Sequence, residues 1–248
     1  MSASRPEALV FDVDGTLADT EADGHRVAFN AAFREAGLDW EWDEALYGEL
    51  LAVTGGKERI RLYVERMQPQ FARLPDYDER IALLHRAKTR HYTAAAHGGA
   101  IPLRPGVARL LREARDAGRR MAIATTTTPE NIAALLVPSL GAEAMSWFEV
   151  VGAGDVVPRK KPAPDIYLWV LERLRLAPAD CLAFEDSENG LRAALAAGLP
   201  TLVTPSGYTR GQCFDGALAV LPDLGGIGLA ELDRLWSNPP SSFDRKPS

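Results

Sequence analysis

Two acidic residues stand directly after the first apolar segment of the chain. Residues 8–11 have the pattern of a buried strand, and Asp12, Val13, Asp14 and Gly15 follow it. Side chains alternate between the two faces of a strand, so Asp12 and Asp14 share one face. Two acids this close repel each other unless a cation lies between them. Asp and Gly also form ordinary turns, but a turn alone does not explain two acids on one face.

Polar residues also follow three later segments that have the pattern of strands. They are Thr125 and Thr126 after 121–124, Lys160 and Lys161 after 148–151, and Glu185 and Asp186 after 181–184. Each pair alone has an ordinary explanation as a helix cap, a solvated loop or a helix N-terminus. Because the carboxyl ends of parallel strands meet at one edge of a sheet, the pairs together predict a hard-cation site beside an oxyanion site.

These residue types suit phosphoryl transfer. Carboxylates are preferred ligands of Mg²⁺, and a lysine with a threonine hydroxyl can neutralise and hydrogen-bond the phosphoryl oxygens. Once that charge is offset, the carboxylate of Asp12 can attack phosphorus and form an aspartyl-phosphate. Asp14, on the same face, can protonate the leaving oxygen and later deprotonate the attacking water.

Helix-like and strand-like segments alternate from about residue 105 to residue 203. Strands that are apolar on both faces and separated by helices predict a doubly wound α/β domain with a parallel sheet. Between residues 20 and 97 the pattern is helical, which predicts an all-helical insertion after the first strand. We therefore predict a core domain of 1–19 and 98–236, a helical cap domain of 20–97 and a disordered tail of 237–248.

The composition argues against several classes of partner. With 28 Lys and Arg against 34 Asp and Glu, the formal net charge is −6. Nucleic acids and anionic membranes both need a basic surface, so neither is expected as a partner. The sequence shows neither a signal-peptide pattern nor an apolar segment of membrane-spanning length. We expect a cytoplasmic protein that is a monomer, and the two cysteines are too few for a disulfide framework.

Four motifs resemble those of the haloacid dehalogenase superfamily. They are Asp12-Val13-Asp14-Gly15-Thr16, Thr125, Lys161 before Pro162, and Glu185-Asp186. The insertion of residues 20–97 is similar to the C1 cap of that superfamily, so the resemblance implies a Rossmann-like core with a helical cap. It also implies that Asp12 is the nucleophile and that Asp14 is the general acid and base.

The same resemblance implies a Mg²⁺ site. Asp12 and Asp186 would bind the metal through carboxylate oxygens, and Asp14 would bind it through its backbone carbonyl. Glu185 would act through water or by supporting one of the other ligands. The resemblance therefore names Asp12, Asp14, Glu185 and Asp186 as the residues of the metal site.

Three further residues are expected to hold the phosphoryl group. Thr125 and Lys161 match the second and third motifs of the superfamily, and Thr126 is expected to contact the substrate beside them. The place of Lys161 before Pro162 favours it as the acting lysine, with Lys160 as the alternative.

Within the superfamily the chain is most similar to the CbbY-type phosphatases, which stand near beta-phosphoglucomutase. The segments that carry this similarity are 18–21, 25–26, 28–30, 54–59, 161–167 and 207–210. CbbY-type enzymes remove phosphate from xylulose-1,5-bisphosphate, so the resemblance implies a small phosphorylated sugar as the substrate. Glu21 and His25 are expected to contact sugar hydroxyls. The chain between these two residues is one residue longer than in the better-known members.

A glycine pair in the insertion is a second candidate anion site. Thr54, Gly55 and Gly56 offer backbone N–H groups, and Lys57 and Arg59 add positive charge directly after them. We expect these residues to bind the second, non-reacting phosphate of a bisphosphate. The alternative is the start of a helix with a solvated Lys-Glu-Arg face.

Two other functions fit the same motifs. A sugar-phosphate mutase would use the same aspartyl-phosphate, and it would differ in cap contacts and water access, which the sequence does not show. A receiver-type signalling module also sets an Asp, a Thr and a Lys around Mg²⁺. A receiver, however, needs neither the second acid two residues after the first nor a large inserted cap.

Overall fold

Six parallel strands form one sheet in the computed structural model, which describes residues 5–239. The strands are β1 (Ala8–Phe11), β2 (Arg120–Ala124), β3 (Val150–Gly152), β4 (Cys181–Glu185), β5 (Thr201–Val203) and β6 (Ala219–Val220). Their order in the sheet is β3-β2-β1-β4-β5-β6. β1 pairs with β2 on one side and β4 on the other, so Asp12 leaves the sheet at its centre.

Helices cover both faces of this sheet. The helices of the core are α5 (Val107–Asp116), α6 (Pro129–Leu140), α7 (Asp165–Leu174), α8 (Glu188–Ala196) and α9 (Leu229–Ser237), numbered after four that precede them. Leu9 and Phe11 of β1 pack with residues of α5, α6 and α9, whereas Ala8 and Val10 pack with residues of α7 and α8. The predicted doubly wound α/β fold is therefore confirmed. Of the predicted tail of 237–248, residues 240–248 lie outside the described residues.

Two core helices begin at the edge where the polar residues gather. The hydroxyl of Thr128 accepts a hydrogen bond from the backbone N–H of Asn131 and caps α6. The hydroxyl of Ser187 accepts one from the N–H of Gly190 and caps α8. Because each cap ends the loop that follows a strand, the residues between strand and helix are held at the carboxyl edge of the sheet.

Helices also make up the segment between β1 and α5. They are α1 (Val27–Glu35), α2 (Glu44–Leu50), α3 (Gly56–Met67) and α4 (Tyr77–His97). They enclose an aromatic cluster of Phe29, Phe33, Trp40, Trp42, Tyr47 and Tyr63. Trp40 and Trp42 are therefore packing residues. The domain boundaries at 19/20 and 97/98 stay a prediction.

An unusual helical turn lies before His25, where the resemblance implies one extra residue. Glu21–Arg26 forms a π-helical turn that leads directly into α1. A π-helical turn contains one residue more than a turn of α-helix, so it accommodates a single extra residue without disturbing the helix that follows. In the described part of the chain, no helix is long and apolar enough to cross a membrane.

Adjacent leucines of α4 provide a test of how this insertion packs. Leu84 is 4% exposed and belongs to the same apolar cluster as the aromatic residues, whereas Leu83 is 50% exposed. Leu84→Ala should lower the free energy of unfolding by about 2–5 kcal/mol, and Leu83→Ala should change it by less than about 0.5 kcal/mol. Denaturant unfolding followed by tryptophan fluorescence measures both. Equal losses in the two variants would contradict the packing.

Candidate active site

A buried lysine joins two acids at the carboxyl edge of the sheet. Lys161 Nζ donates hydrogen bonds to Asp12 Oδ1 at 2.6 Å, to Glu185 Oε1 at 2.6 Å and to the carbonyl of Ala124 at 2.9 Å. All of these side chains are buried. The lysine therefore ties together the ends of β1, β2 and β4, and it neutralises part of the charge that these strands bring into the interior.

The negative charge of this group exceeds what one lysine can neutralise. Ligand oxygens of Asp12, Glu185 and Asp186 lie within 4.8 Å of one another. Burial raises the pKa of Asp12 from 3.8 to about 7, against the opposing charge of Lys161. Burial, with the charges of Asp12 and Glu185, raises the pKa of Asp186 well above its usual range. We call Asp12, Glu185 and Asp186 the carboxylate cluster.

The carboxylate cluster has the donor chemistry of a Mg²⁺ site. Hard oxygen atoms are the ligands that this ion takes, and a dication among three close carboxylates relieves their repulsion. Glu185 Oε1 already accepts hydrogen bonds from Lys161 and from Tyr167 Oη at 2.5 Å. Asp12 and Asp186 are therefore the residues that fit direct binding, and Glu185 fits a supporting role.

Asp14 faces the inserted helices and not the carboxylate cluster. Its Oδ1 accepts a hydrogen bond from the hydroxyl of Thr20 at 2.7 Å and lies 2.8 Å from His25 Nε2. Lys88 Nζ of α4 lies 2.7 Å from His25 Nδ1, and the ring of His25 stacks on Tyr92. The ring of His25 therefore bridges Lys88 and Asp14, and a proton on Nε2 is donated to the carboxylate of Asp14.

The neighbouring groups Thr20, His25 and Lys88 keep Asp14 in its ionised form. Burial would raise the pKa of Asp14, but the charge of His25 and the hydrogen bonds from His25 and Thr20 outweigh it and hold the pKa well below its usual range. Burial lowers the pKa of Lys88 to about 8. Asp14 is therefore ionised at neutral pH, and Lys88 can lose its proton only slightly above that pH.

A cavity lies between the carboxyl edge of the sheet and the inserted helices, and the carboxylate cluster lines it. The predicted residues Thr125 and Thr126 lie on its wall. Thr125 continues the pairing of β2 with β3, since its N–H donates to the carbonyl of Gly152 at 2.9 Å, and Thr126 lines the same cavity. Asn131 Nδ2 donates to the hydroxyl of Thr127 at 2.9 Å. Asn131 Oδ1 is buried and has no hydrogen-bond partner within residues 5–239.

The inserted helices supply the opposite wall of the cavity. Thr54, Gly55, Gly56 and Arg59 line it, at the start of α3. A Cβ on Gly56 would lie 2.7 Å from the ring of His85, which also lines the cavity. The glycine pair therefore lets the backbone at the helix start approach this space closely.

Lys57 lies elsewhere. Its Nζ donates to Asp155 Oδ2 at 2.6 Å, across the gap between α3 and the core. Asp155 Oδ1 accepts a second hydrogen bond from Lys160 Nζ at 2.8 Å. The structure thus brings Arg59 but not Lys57 to the cavity wall, so a phosphate-binding role for Lys57 stays a prediction. It also shows that Lys161, not Lys160, reaches the carboxylate cluster.

Arg59 is held by two residues of the inserted helices. Its Nη1 donates to Tyr47 Oη at 2.7 Å and lies 3.4 Å from Glu21 Oε2, while Tyr47 Oη donates to the same carboxylate oxygen. The Nε of Arg59 is buried without a hydrogen-bond partner in the described chain. Glu21 and Arg59 both line the cavity, so they form an ion pair on its wall.

Several residues at this site have no role that the sequence motifs predict. Tyr167 lies on the apolar face of α7, where an aromatic residue looks like ordinary core. Thr209 Oγ1 donates to Asp186 Oδ2 at 3.4 Å, from a loop that follows β5. Both lie within segments that carry the resemblance to CbbY-type phosphatases, and that was the only signal in the sequence for them.

Comparison with known proteins agrees with this site. The family model described as haloacid dehalogenase-like hydrolase matches residues 6–198. Over 219 residues the chain is 56% identical to Protein CbbY (plasmid) of Cupriavidus necator, with 88% of this chain and 86% of that protein covered.

Two solved structures extend the comparison. A variant of CbbY from Rhodobacter sphaeroides in complex with xylulose-1,5-bisphosphate is 48% identical, with a TM-score of 0.85 and with 92% of this chain and 99% of that chain covered. A beta-phosphoglucomutase of Clostridium difficile is 18% identical, with a TM-score of 0.75 and with 93% and 97% covered. At that identity the second likeness concerns the fold alone.

The raised pKa of Asp12 predicts that Mg²⁺ binding depends on pH. Between pH 3.8 and about 7 the folded protein holds a proton that the unfolded chain releases, so without metal this group lowers the free energy of unfolding as pH rises. Mg²⁺ needs the ionised carboxylate. Its apparent affinity should therefore rise with pH, by up to about tenfold per pH unit for each carboxylate that must lose a proton, until Asp12 and Asp186 are both ionised.

Thermal unfolding at several Mg²⁺ concentrations, from pH 5.5 to 8.5, measures this effect. Asp233→Asn is the control, because that acid pairs with Arg119 and not with the carboxylate cluster. It should keep the pH dependence of the wild type. A stabilisation by Mg²⁺ that is equal at every pH would contradict the predicted proton release.

Proposed function

This chain belongs to the haloacid dehalogenase-like hydrolases, and we propose that it is a Mg²⁺-dependent phosphatase that acts on a sugar bisphosphate, with xylulose-1,5-bisphosphate as the substrate. The observation that carries the proposal is the position of Asp12. Lys161 donates a hydrogen bond to Oδ1 of that carboxylate, and the hydroxyl of Thr16 donates one to Oδ2 at 3.4 Å. A carboxylate fixed in this way is suited to in-line attack on phosphorus.

In the proposed reaction Oδ2 of Asp12 forms a bond to phosphorus while the bond from phosphorus to the sugar oxygen breaks. Mg²⁺, when bound, supplies positive charge that offsets the charge of the phosphoryl oxygens. Lys161 and Thr125 provide the protein's own charge and hydrogen-bond donors beside them. Water then attacks the aspartyl-phosphate, releases phosphate and restores the carboxylate.

Asp14 has two tasks in the proposed reaction, and His25 and Lys88 form a route by which protons can reach it. As an ionised carboxylate it can take the proton of the attacking water. To protonate the leaving sugar oxygen it must first receive a proton, and His25 Nε2 at 2.8 Å can supply one. Lys88 lies at the other ring nitrogen and can replace the proton that His25 gives up.

The bisphosphate part of the proposal depends on the opposite wall. Arg59 and the backbone N–H groups at the start of α3 give this wall a positive end, where the second phosphate can bind. The related CbbY complex contains xylulose-1,5-bisphosphate, and the chain matches it over nearly its full length. Both findings support a substrate that has a phosphate at each end.

Asp12→Asn tests the nucleophile. The amide has nearly the same shape and cannot readily attack phosphorus, so phosphate release should fall by at least about 10³-fold. Asp116→Asn is the control, because that acid is exposed on α5, and its rate should stay within about twofold of the wild type. The measurement is phosphate release from pentose and hexose mono- and bisphosphates with Mg²⁺.

Two results of this screen would contradict the proposal. Substantial turnover by Asp12→Asn would remove Asp12 from the nucleophilic role. Conversion of a monophosphate into its isomer, with no free phosphate, would show a mutase. A preference for xylulose-1,5-bisphosphate over the monophosphates is the result that we expect.

Arg59→Met tests the binding of the second phosphate. A charge-assisted hydrogen bond contributes about 1.5–3 kcal/mol, so kcat/KM for the bisphosphate should fall by about 10- to 150-fold. Hydrolysis of an aryl phosphate, which has no second phosphate, should change little. Lys57→Met is the matched control: it removes a charge from the same helix, but that charge pairs with Asp155 outside the cavity.

We expect Lys57→Met to lower kcat/KM for the bisphosphate by less than about threefold, because the ion pair of Lys57 with Asp155 that it breaks is partly exposed. A loss equal to that of Arg59→Met would place Lys57 at the second phosphate after all. If Arg59→Met slowed the aryl phosphate and the bisphosphate equally, Arg59 would be a structural residue.

A further inference from the structure

Arg104 connects three loops at the carboxyl edge of the sheet. Its Nη1 donates to the carbonyl oxygen of Gly15, after β1, and to that of Thr204, after β5, at 2.6 Å. Its Nη2 donates to the carbonyl oxygens of Pro205 at 2.8 Å and of Pro222, after β6, at 3.2 Å. One guanidinium thus holds the backbone that follows three of the strands.

Carbonyl dipoles and one mostly exposed carboxylate surround this charge. Arg104 is 9% exposed, and Asp19 Oδ1 lies 3.7 Å from its Nε on a mostly exposed side chain. Burying a cation in this way is costly unless its donors are satisfied, and the planar guanidinium can reach several carbonyl oxygens at once. The proposed reaction gives no task to this residue.

The first loop forms one side of the pocket around Asp186. Gly15 has a φ of +82°, and a Cβ there would lie 2.1 Å from Asp186 Oδ2. The carboxylate therefore packs directly on the Gly15 backbone, so its position depends on where that peptide lies. The carbonyl of the same peptide is the one that Arg104 holds.

The loop that follows β5 forms the other side of the pocket around Asp186. Thr209 Oγ1 donates to Asp186 Oδ2 at 3.4 Å, and the N–H of Ser206 donates to that hydroxyl oxygen at 2.8 Å. Ser206 directly follows the two residues whose carbonyls Arg104 binds. Arg104 thus holds both of the loops that contact Asp186.

We propose that Arg104 is a positioning residue for the cation site: by fixing the two loops on either side of Asp186, it sets the carboxylate cluster in the geometry that binds Mg²⁺. This inference rests on the proposed Mg²⁺ site. Arg104 also lies where the chain returns from the inserted helices, with its N–H bonded to the carbonyl of Leu17 at 2.9 Å. The same residue therefore connects the point where the chain returns from the inserted helices with the proposed Mg²⁺ site.

The direction of the change in Mg²⁺ affinity distinguishes a positioning role of Arg104 from an effect of its charge. Arg104 is a cation near a site for a dication, so removing its charge should by Coulomb's law alone strengthen Mg²⁺ binding. Loss of the hydrogen bonds should weaken binding, because groups that orient metal ligands typically contribute 10- to 100-fold in affinity. Arg104→Met removes both charge and hydrogen bonds, whereas Arg104→Lys keeps the charge and loses the planar set of donors.

The experiment is a calorimetric titration of the substrate-free protein with Mg²⁺ alone, together with thermal unfolding of each variant. We expect about 10- to 100-fold weaker Mg²⁺ binding for Arg104→Met. Arg104→Lys should also bind more weakly than the wild type, and it serves as the folded variant if Arg104→Met fails to fold. Assays with substrate should then show a higher Mg²⁺ requirement and little change in kcat at saturating metal.

Arg119→Met is the matched control. Arg119 is 8% exposed and also donates to a backbone carbonyl, that of Pro6, but at the opposite edge of the sheet. This variant should lose thermal stability and keep the Mg²⁺ affinity of the wild type. A purely structural Arg104 would behave in the same way as Arg119.

Unchanged or tighter Mg²⁺ binding by both Arg104 variants would overturn the positioning role and leave the proposed function intact. Equal weakening by Arg119→Met would overturn it as well, because the loss would then follow from instability. A wild type that shows no saturable binding of Mg²⁺ would overturn the metal site itself, and the positioning role with it.

Discussion

Three buried carboxylates within 4.8 Å of one another, opposed by one lysine, are the constraint on which the rest of this structure depends. Repulsion between such groups favours separation, so the scaffold must hold them together. β1 and β4 do so by lying side by side at the centre of the sheet, which brings Asp12 next to Glu185 and Asp186. Lys161 then reaches both strands from the loop beyond β3, and Tyr167 completes the hydrogen bonding of Glu185. A cation would relieve this excess of negative charge, which supports the proposed Mg²⁺ site.

The inserted helices provide the groups that surround Asp14, the second acid after β1. Asp14 leaves β1 two residues after Asp12, yet it is bound to His25 and, through it, to Lys88 of α4. One acid thus serves the carboxylate cluster while the next is tuned by the helical insertion. The two have opposite pKa shifts, upward for Asp12 because of burial and downward for Asp14 despite burial, because of His25. Two acids only two residues apart are thus held in different electrostatic environments on the wall of one cavity.

The fold and the gathering of polar residues at the sheet edge could be predicted because both follow from local pattern. Apolar strands between helices indicate a parallel sheet, and the residues after each strand must meet at its carboxyl edge. The position of Lys57 could not be predicted in this way. Sequence spacing assigns it to the first turn of α3 but does not tell on which side of the gap between helix and core it lies, and there it meets Asp155. β6, with two residues, is too short to give a pattern. Arg104 was hidden for a third reason: its partners are backbone carbonyls of distant loops, which have no signature in side-chain type.

The central claim is that Asp12 forms a covalent bond to phosphorus, and the most direct measurement is to find that bond. The enzyme is mixed with substrate and Mg²⁺, quenched in acid within one turnover, and treated with borohydride, which reduces an acyl phosphate to an alcohol. Mass spectrometry of the peptide that contains residues 8–17 should then show homoserine in place of Asp12, in an amount that rises and decays with the intermediate. Modification of a different residue, or full turnover with no modified residue at any time, would contradict the account.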